Sequence, residues 1–425
     1  MTKNRYQIVV VGGGTGGIMT AAQLIRKSKK PIDIAIVEPS DVHAYQPAFT
    51  LVGAGTFDMS KTKRPEAQQI PKGVTWIKDR VTSLSPEKNS LDTEKSGSIS
   101  YDYLVLAPGI SINLSLVEGL TEAIGKNDVC SNYIDPEYTW DVVQRFKGGN
   151  ALYTQPTTPI KCGGAPQKAM YLGEDYFRKN IALRNKTNVI YALPGSVIFG
   201  VAEFKKTLLS IVDDRNLILK YSHQLFKIDG ENKIAYFKYP SDKVYKDLTH
   251  NDEENKSGAK EDDGIIEIHY DMMHLAPPME SPKFLAKSSL AHVDGPFKGF
   301  AKVDKHTMQS EKFPNVFGLG DAMGIPAAKT GAAIRKQAPV LVEHLLSLVE
   351  STGQANSMYN GYSSCPIVTG YGKMLLAEFD YDNKRDSDPI LSKLFDTTKS
   401  SWPMWVLKKY GLPYLYWNQM LKGKM

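Results

Sequence analysis

The strongest constraint on the fold of this chain is a run of glycines close to its start. The six residues GGGTGG hold Gly12, Gly14 and Gly17 at G-x-G-x-x-G spacing, with Thr15 inside the turn. The run follows QIVVV, an apolar β-branched segment typical of a buried parallel strand, and it precedes a segment with helical periodicity. Such a turn lets the backbone approach a pyrophosphate while a helix N-terminus faces the phosphates. The start of the chain therefore predicts a Rossmann-type dinucleotide-binding unit.

The composition is that of a globular protein with two or three domains. Hydrophobic residues make up 42% and charged residues 23% of the 425, and the formal net charge is +6. These values allow a large core, and without a dense basic cluster they indicate no nucleic-acid partner. The three cysteines, Cys130, Cys162 and Cys365, form no C-x-x-C pair and have no histidine at zinc-ligand spacing. We therefore expect neither a metal site nor a disulfide scaffold.

Glu38 supports a dinucleotide site, and two later segments favour FAD as the dinucleotide. A second predicted strand ends in Glu38, about twenty residues after the phosphate loop, where an acid binds an adenosine ribose. YLVLAPG (residues 103–109) and NVFGLGD (residues 315–321) resemble the second and third motifs of flavoproteins with two dinucleotide-binding domains. In that family the acid after the third strand, here Asp321, binds the ribityl chain, and the next helix points its positive N-terminus at the flavin. Lys329, just before that helix, would add a full charge.

The middle of the chain predicts a second βαβ unit that has lost its nicotinamide cradle. Where a pyridine-nucleotide enzyme carries another G-x-G-x-x-G, this chain reads QPTTPIKCGGAPQ, with Gly163 and Gly164 out of register. Cys162 stands where the chain enters the next helix, close to Lys161 and Lys168. A helix N-terminus and nearby ammonium groups both lower the pKa of a thiol. We interpret this loop as rebuilt around a potential thiolate.

Four segments resemble sulfide:quinone oxidoreductases, especially the branch that includes the mitochondrial enzymes. They are KCGGAPQKAMYL (161–172), GYSSCPIVTGYGKMLLAEFDY (361–381), HAYQPAFTLVGAG (43–55) and YLYWNQMLKG (414–423). The likeness runs essentially end to end. It implies an α/β fold with two Rossmann-like domains, FAD as cofactor, sulfide as electron donor and membrane quinone as acceptor. A small nucleophile such as glutathione or sulfite would take the sulfur.

The resemblance also assigns roles to individual residues. Cys162 and Cys365 would be the redox pair, although the 203 positions between them leave their contact to the fold. Sulfide would attack the oxidised pair, leave one cysteine as a persulfide, and release the other as the thiolate that reduces the flavin. Cys130 would be a third participating cysteine, as in some family members. The implied cofactor-binding residues are Gly12, Gly14, Thr15, Gly17, Glu38, Gln46, Val81, Ala107, Pro108, Gly109, Gly320, Asp321, Lys329 and Thr330. Those implied for the quinone are Tyr45, Pro47 and Phe379.

The same resemblance divides the chain into three parts. Residues 1–115 and 296–345 would form the FAD-binding domain, and residues 116–295 the second Rossmann-like domain without an NAD motif. Residues 346–425 would hold the second redox cysteine and a membrane-associating helical segment.

The final 25 residues suit an interfacial anchor. This tail is rich in aromatic rings and contains lysines but no acid. Gly411 and Pro413 predict two short helices, with Tyr414, Trp417 and Leu421 on one face of the second. Aromatic rings at the headgroup level and lysines toward anionic lipid are typical of a monotopic helix. Removing residues 401–425 would then release the chain from membranes with FAD still bound. The tail lysines are Lys408, Lys409, Lys422 and Lys424.

Several alternatives stay open at this point. A type II NADH:quinone oxidoreductase shares the fold and the membrane attachment, but the missing second glycine cradle counts against it. A flavocytochrome c sulfide dehydrogenase is normally exported, and no export signal opens this chain. A non-catalytic flavin-bound scaffold or redox sensor is the third alternative. The expected location is peripheral, at the cytoplasmic face of the cell membrane, and assembly into a homo-oligomer is left open.

Overall fold

The computed structural model describes residues 3–239, 249–353 and 355–425. Its strands are β1 (Arg5–Val11), β2 (Ile34–Val37), β3 (Val42–Ala44), β4 (Lys63–Pro65), β5 (Val74–Ile77), β6 (Val81–Ser85), β7 (Ser90–Thr93), β8 (Ser98–Leu106), β9 (Ser111–Ile112), β10 (Val129–Cys130), β11 (Gly149–Thr154), β12 (Thr187–Ala192), β13 (Ile218–Lys220), β14 (Gln224–Asp229), β15 (Ile234–Lys238), β16 (Thr249–His250), β17 (Lys260–Asp262), β18 (Ile265–His269), β19 (Met272–Leu275), β20 (Met279–Glu280), β21 (Val316–Gly318), β22 (Ser363–Gly370) and β23 (Lys373–Phe379). Its α-helices are α1 (Thr15–Lys27), α2 (Phe49–Val52), α3 (Leu120–Ala123), α4 (Pro136–Arg145), α5 (Ala165–Phe177), α6 (Ile181–Arg184), α7 (Ala202–Asp214), α8 (Lys283–Ala286), α9 (Gly331–Val349), α10 (Leu391–Leu394), α11 (Trp402–Val406) and α12 (Leu412–Leu415).

The first sheet carries the glycine-rich turn at its carboxyl edge. Its order is β5-β2-β1-β8-β7-β6, and β21 pairs with the later part of β8. Strands β5, β2, β1, β8 and β21 are parallel, and every residue of β2 and β21 is buried. The register sets Val11 beside Val37 and Leu106. The three predicted cofactor motifs, which follow β1, β8 and β21, therefore meet at one edge of the sheet.

The second sheet repeats this arrangement with different strands. Its order is β10-β19-β11-β12-β13-β16, and all its pairs are parallel except β13 with β16. Helix α5 connects β11 to β12, and the antiparallel sheet β14-β15-β18-β17 shares a core with its other face. The predicted class, α/β with two Rossmann-like units, is confirmed.

The β22–β23 hairpin joins the second sheet to the tail. Cys365 stands on β22 opposite Ala377 of β23. Cys365 and Ile367 pack in the core around the second sheet, whereas Val368 packs in a separate cluster with Trp405 of the tail. Cys365 is thereby held between the second sheet and the tail.

The tail forms a continuous helical segment, so the predicted break at Gly411 and Pro413 is wrong. Helix α11 continues into a π-helical turn over Leu407–Gly411, then into α12 and a second π turn over Tyr416–Met420. A proline crowds the carbonyl four residues earlier and donates no hydrogen bond, and the wider π turn before Pro413 accommodates both effects. Among the described residues, no helix has both the length and the apolarity needed to cross a membrane.

The predicted membrane face of the tail is also wrong. Trp417 and Leu421 are 3% and 1% exposed and belong to the core around the first sheet, whereas Tyr414 is 61% exposed. The prediction assumed 3.6 residues per turn, but the π turns are wider and shift the side chains that follow onto another face. The aromatic rings left outside are those of Trp402, Tyr410 and Tyr414.

Candidate functional site

The glycine-rich turn is crowded on one side and open on the other. A Cβ on Gly12, whose φ is +100°, would lie 2.4 Å from the carbonyl oxygen of Ala107, and one on Gly17 would lie 1.9 Å from that of Gly12. No side chain fits at either position. A Cβ on Gly14 would meet nothing within 4 Å. The turn therefore packs tightly on the sheet and leaves open backbone at the N-terminus of α1, which fits a pyrophosphate.

Glu38 ties this turn to the end of β2. Its carboxylate accepts the backbone N–H of Gly13 at 2.8 Å and that of Ser40 at 2.7 Å. Trp76 donates its indole N–H to the Glu38 carbonyl at 2.9 Å. The acid is thus held beside the phosphate loop, where the sequence predicts the adenosine ribose.

A buried polar network joins the phosphate loop to the tail. The Tyr416 hydroxyl lies 2.8 Å from the Thr15 hydroxyl and 2.6 Å from Nε2 of His43. His43 Nδ1 lies 3.2 Å from a carboxylate oxygen of Glu66. Burial raises the pKa of Glu66, and the contact with His43 opposes that shift. A residue of the tail therefore completes the hydrogen bonding behind the phosphate loop.

Replacing Tyr416 by phenylalanine is expected to lower the free energy of unfolding by about 1–3 kcal/mol, because the buried ring of His43 and the half-buried hydroxyl of Thr15 lose their partner. Urea denaturation of the flavin-loaded protein measures the change. Tyr414→Phe, which removes a hydroxyl from an exposed ring, is the matched control and should change the stability by less than about 0.5 kcal/mol. Equal effects of the two substitutions on the free energy of unfolding would show that the network does not stabilise the fold.

The third predicted motif surrounds the N-terminus of α9. The Thr330 hydroxyl caps this helix by accepting the N–H of Ala333 at 3.2 Å. The Lys329 ammonium donates to the carbonyl oxygens of Asp321 and Met323 at 2.6 and 2.9 Å. Burial lowers the pKa of Lys329 to about 8, against the attraction of the Asp321 carboxylate, whose own pKa burial raises. A narrow cavity opens here, and its lining includes Gly320, Met323, Lys329, Thr330 and Ala333.

The cysteine loop of the second unit is bonded directly to this motif. Lys161 pairs with Lys329 as in a parallel sheet, and the N–H of Cys162 donates to the Lys329 carbonyl at 2.8 Å. Cys162 has a backbone φ of +60°, a conformation that residues other than glycine rarely adopt. The Tyr133 hydroxyl donates to the Cys162 carbonyl at 3.2 Å and so holds the other side of this residue. The thiol is thereby fixed beside the N-terminus of α9.

The structure brings the predicted redox pair together. Both cysteines are free, and each side chain shifts the pKa of the other. A Cβ on Gly164, the residue before α5, would lie 2.4 Å from the Cys365 sulfur. Glycine at 164 is therefore what lets the hairpin sulfur approach the cysteine loop. The structure thus brings together two cysteines whose separation in the sequence could not show whether they meet.

A buried lysine sets the charge of this pair. Lys168, one turn into α5, is 2% exposed and donates from its ammonium to the Cys162 sulfur at 3.1 Å. The hydrogen bond from Cys365 and then Lys168 lower the pKa of Cys162 well below its usual value, against the effect of burial. The hydrogen bond to Cys162 and burial raise that of Cys365. One thiolate, on Cys162, is the favoured state.

Cys130 has different surroundings. It is fully buried on β10, opposite His274 of β19. Burial raises the pKa of its thiol to about 12, against a hydrogen bond with Thr139. Such a thiol stays protonated at neutral pH, and its participation remains a prediction from the resemblance.

The other predicted residues lie at several places around the first sheet and the hairpin. Gln46 and Pro47 are exposed, and Tyr45 is buried against Tyr416. Phe379 ends β23 and packs edge-on against Phe199. Among the described aromatic contacts, none joins Phe379 to Tyr45. Val81 is buried at the start of β6, and Pro108 and Gly109 follow β8.

Tyr133, which the sequence did not single out, contacts the cysteine loop. Lys408 of the tail donates from its ammonium to the Pro47 carbonyl at 2.8 Å. The sequence predicted Lys408 on the lipid side, but it is buried. Its position follows from the π turn, which periodicity could not indicate.

Comparisons with known proteins agree on one family. Residues 6–142 match a family model described as pyridine nucleotide-disulphide oxidoreductase. The chain is 40% identical over 423 residues to the mitochondrial sulfide:quinone oxidoreductase of Mus musculus, across 99% of this chain and 87% of that protein. It is 41% identical over 426 residues to the Dictyostelium discoideum enzyme of the same name, with the same coverage. The crystal structure of the Aquifex aeolicus sulfide:quinone oxidoreductase superimposes with a TM-score of 0.74 at 18% identity, over 98% of this chain and 92% of that one.

Proposed function

The chain belongs to the sulfide:quinone oxidoreductases, and from this membership we propose which of its residues carry electrons from sulfide to quinone. The protein is a flavin-dependent oxidoreductase that oxidises sulfide and reduces a quinone. The observation that carries the assignment of residues is the pair of the partly buried Cys162 and the buried Cys365. Cys162 receives a hydrogen bond from Lys168, and its loop is bonded to the start of α9.

FAD is the flavin that these residues fit. The open backbone at Gly14 suits the pyrophosphate, and Glu38 suits the adenosine ribose. Asp321 and the N-terminus of α9 suit the ribityl chain and the pyrimidine edge of the ring. When bound, the flavin accepts the two electrons that sulfide loses and returns them to a quinone. Most of the remaining predicted cofactor residues follow β1, β8 and β21 at the same edge. Gln46 and Val81 are assigned to this domain from the resemblance alone.

The thiol pair receives sulfide in its oxidised, sulfur-bridged form. Hydrosulfide attacks one sulfur of the bridge, and the sulfur–sulfur bond breaks as the new one forms. One cysteine then carries the added sulfur as a persulfide, and the other leaves as a thiolate with the electron pair of the broken bond. Lys168 stabilises the departing thiolate because its ammonium is already at hydrogen-bond distance from Cys162. A small acceptor such as glutathione or sulfite removes the added sulfur.

Donor specificity tests this assignment. Sulfide should support rapid reduction of a short-chain quinone by the purified flavoprotein, and NADH should not, because the loop around Cys162 lacks the second glycine cradle. Steady-state absorbance of the quinone measures both rates. Rapid turnover with NADH and none with sulfide would move the protein to the type II NADH:quinone oxidoreductases.

The tail and the segment before it expose large apolar side chains that would suit a membrane holding the quinone. These side chains are at least three-fifths exposed, and we call them together the outer aromatic face: Ile390, Leu394, Trp402, Tyr410 and Tyr414. Lys409 lies beside Trp405 and Tyr410 and would reach anionic headgroups. Peripheral attachment through this face, in place of the face predicted from periodicity, is our proposal for the membrane contact.

Replacing Trp402, Tyr410 and Tyr414 together by alanine is expected to weaken binding to vesicles at least about tenfold, because exposed rings supply the interfacial apolar area. Sedimentation with vesicles of phosphatidylcholine and phosphatidylglycerol measures the affinity. Flavin content and sulfide-driven flavin reduction in solution should stay normal. Unchanged sedimentation would place the membrane contact elsewhere.

A further inference from the structure

Three side chains behind the phosphate loop form a hydrogen-bond relay, namely His43, Tyr416 and Thr15. The Tyr416 hydroxyl lies 2.6 Å from Nε2 of His43 and 2.8 Å from the Thr15 hydroxyl. A phenol carries one proton, so Tyr416 can donate to only one of these two neighbours. Thr15 is the first residue of α1, at the turn that fits a pyrophosphate. The state of His43 therefore decides how the Thr15 hydroxyl is used.

The other nitrogen of the His43 ring faces two acceptors. Nδ1 lies 3.2 Å from the Gly13 carbonyl oxygen and 3.2 Å from a carboxylate oxygen of Glu66. While Glu66 is ionised, neither group can donate, so Nδ1 carries the proton of a neutral ring. Nε2 is then bare and accepts from Tyr416, and Tyr416 accepts the proton of Thr15. In this direction the relay leaves Thr15 no proton to offer a phosphate.

One more proton on the pair formed by His43 and Glu66 reverses the relay. If both ring nitrogens are protonated, Nε2 donates to Tyr416, and Tyr416 donates to Thr15. The same direction results if Glu66 holds the proton, because its carboxyl then donates to Nδ1 and the ring proton moves to Nε2. In both cases the Thr15 hydroxyl keeps its own proton free to bind an anion.

Negative charge converges on the phosphate loop from two side chains. A Cβ on Gly13 would lie 2.6 Å from Cγ of Glu38 and 2.5 Å from Oε1 of Glu66. This Oε1 is buried and has no hydrogen-bond partner among the described residues. A pyrophosphate at the loop adds further negative charge, and like charges at close range favour the binding of a proton. His43 and Glu66, which are 4% and 1% exposed, form the ion pair that can take it up.

The other ionisable groups around the ring do not substitute for this proton. Arg64, opposite His43 on β4, is exposed and lies over the Trp417 ring at 4.2 Å, so solvent screens its charge. Burial raises the pKa of Tyr45 and of Tyr416 above the usual range, so both phenols stay neutral. The charge behind the loop is therefore set by the ring and its carboxylate partner.

We propose that His43 and Tyr416 are positioning residues for the cofactor, and that pyrophosphate binding takes up one proton from solvent onto the His43–Glu66 pair. The inference rests on the proposed FAD site. The added proton reverses the relay, so Nε2 donates to Tyr416 and the Thr15 hydroxyl donates to a phosphate oxygen. A residue of the tail thereby connects the charge of a buried histidine to the binding of the cofactor.

The experiment reads the protonation of each ring nitrogen directly. The flavin-loaded full chain is labelled with ¹⁵N-histidine, and the ¹⁵N chemical shifts at pH 7 distinguish a ring protonated on Nδ1, on Nε2 or on both. His43→Gln identifies the signal of this ring by its disappearance. In the native chain, Nε2 of His43 should carry a proton.

The matched variant is Thr15→Val, which removes the hydroxyl and keeps the shape of the side chain. Tyr416 then has only the ring to donate to, so the ratio of protonated to bare Nε2 should fall at least about tenfold. Thr15→Ser, which keeps a hydroxyl, should stay within about threefold of the native ratio. If Thr15→Val loses flavin, Thr15→Ala is measured in its place.

A bare Nε2 in the native FAD-loaded chain would overturn the proposal. So would a ratio that Thr15→Val leaves unchanged, because the ring would then be protonated independently of the loop. The mass of the bound flavin is measured separately, and FMN, which has no pyrophosphate, would overturn the proposed FAD site and this inference with it. Neither sulfide nor quinone is needed, so the result decides on His43 even if sulfide fails to reduce the flavin.

Discussion

Replacing either Cys162 or Cys365 by serine is expected to slow reduction of the flavin by sulfide at least about 10³-fold. Hydrosulfide attacks a bond between two sulfurs, so a serine at either position removes the bond as well as the nucleophile. Serine is nearly isosteric with cysteine, so the fold and the flavin content should be preserved. Anaerobic stopped-flow absorbance of the flavin measures the rate.

Cys130→Ala is the matched control for this experiment. Its thiol is fully buried, and burial raises its pKa to about 12, so it supplies no thiolate at neutral pH. The rate of flavin reduction should stay within about threefold of the native value. A loss as large as that of the serine variants would make Cys130 the third participant that the resemblance implied, and would show that a pair is not sufficient.

Removing residues 401–425 is expected to abolish flavin binding and to leave the chain insoluble. This reverses the expectation drawn from the sequence, in which the tail is only an anchor. The tail buries six large apolar or aromatic side chains, each worth about 1.5–3 kcal/mol. Their loss is comparable to the roughly 5–15 kcal/mol by which a protein is stable. These side chains are Met404, Trp405, Tyr416, Trp417, Met420 and Leu421.

The truncated chain also loses the Tyr416 hydroxyl behind the phosphate loop and the buried Lys408 ammonium that donates to the Pro47 carbonyl. Its yield of soluble protein and its flavin absorbance per chain measure the effect. The alanine variant of Trp402, Tyr410 and Tyr414 is the control, because it alters the tail only at its outer surface. A soluble truncated chain with a full complement of flavin would return the tail to the role of a detachable anchor.

The phosphate loop was predictable because its requirements are local. Gly12 and Gly17 are needed where a strand, a turn and a helix touch within a few residues, and the spacing of the glycines records that contact. The absence of a second G-x-G-x-x-G motif could be inferred in the same way, from the sequence around Cys162. Contact between Cys162 and Cys365 could not be derived locally. Gly164, which makes room for the Cys365 sulfur, acquires its meaning only once the hairpin is in place.

The tail was predicted to be helical and aromatic, and that much is correct. Its orientation was mispredicted because helical periodicity assumes a uniform turn, and the two π turns change which side chains face inward. Trp417 was therefore assigned to lipid although it packs in the core, and Lys408 was assigned to headgroups although it is buried and donates to the Pro47 carbonyl. Such wider turns depend on what the helix packs against, which a single sequence does not contain.

The central claim is that the Cys162–Cys365 pair passes electrons from sulfide to the flavin and that the flavin passes them to a quinone. The most direct test is an anaerobic single turnover with the purified flavoprotein. One equivalent of sulfide is added, the flavin absorbance is followed, and a short-chain quinone is then added. The account predicts bleaching by sulfide and recovery with quinone. A flavin that sulfide leaves oxidised, but that NADH bleaches rapidly, would contradict it and reduce Cys162 to a structural residue.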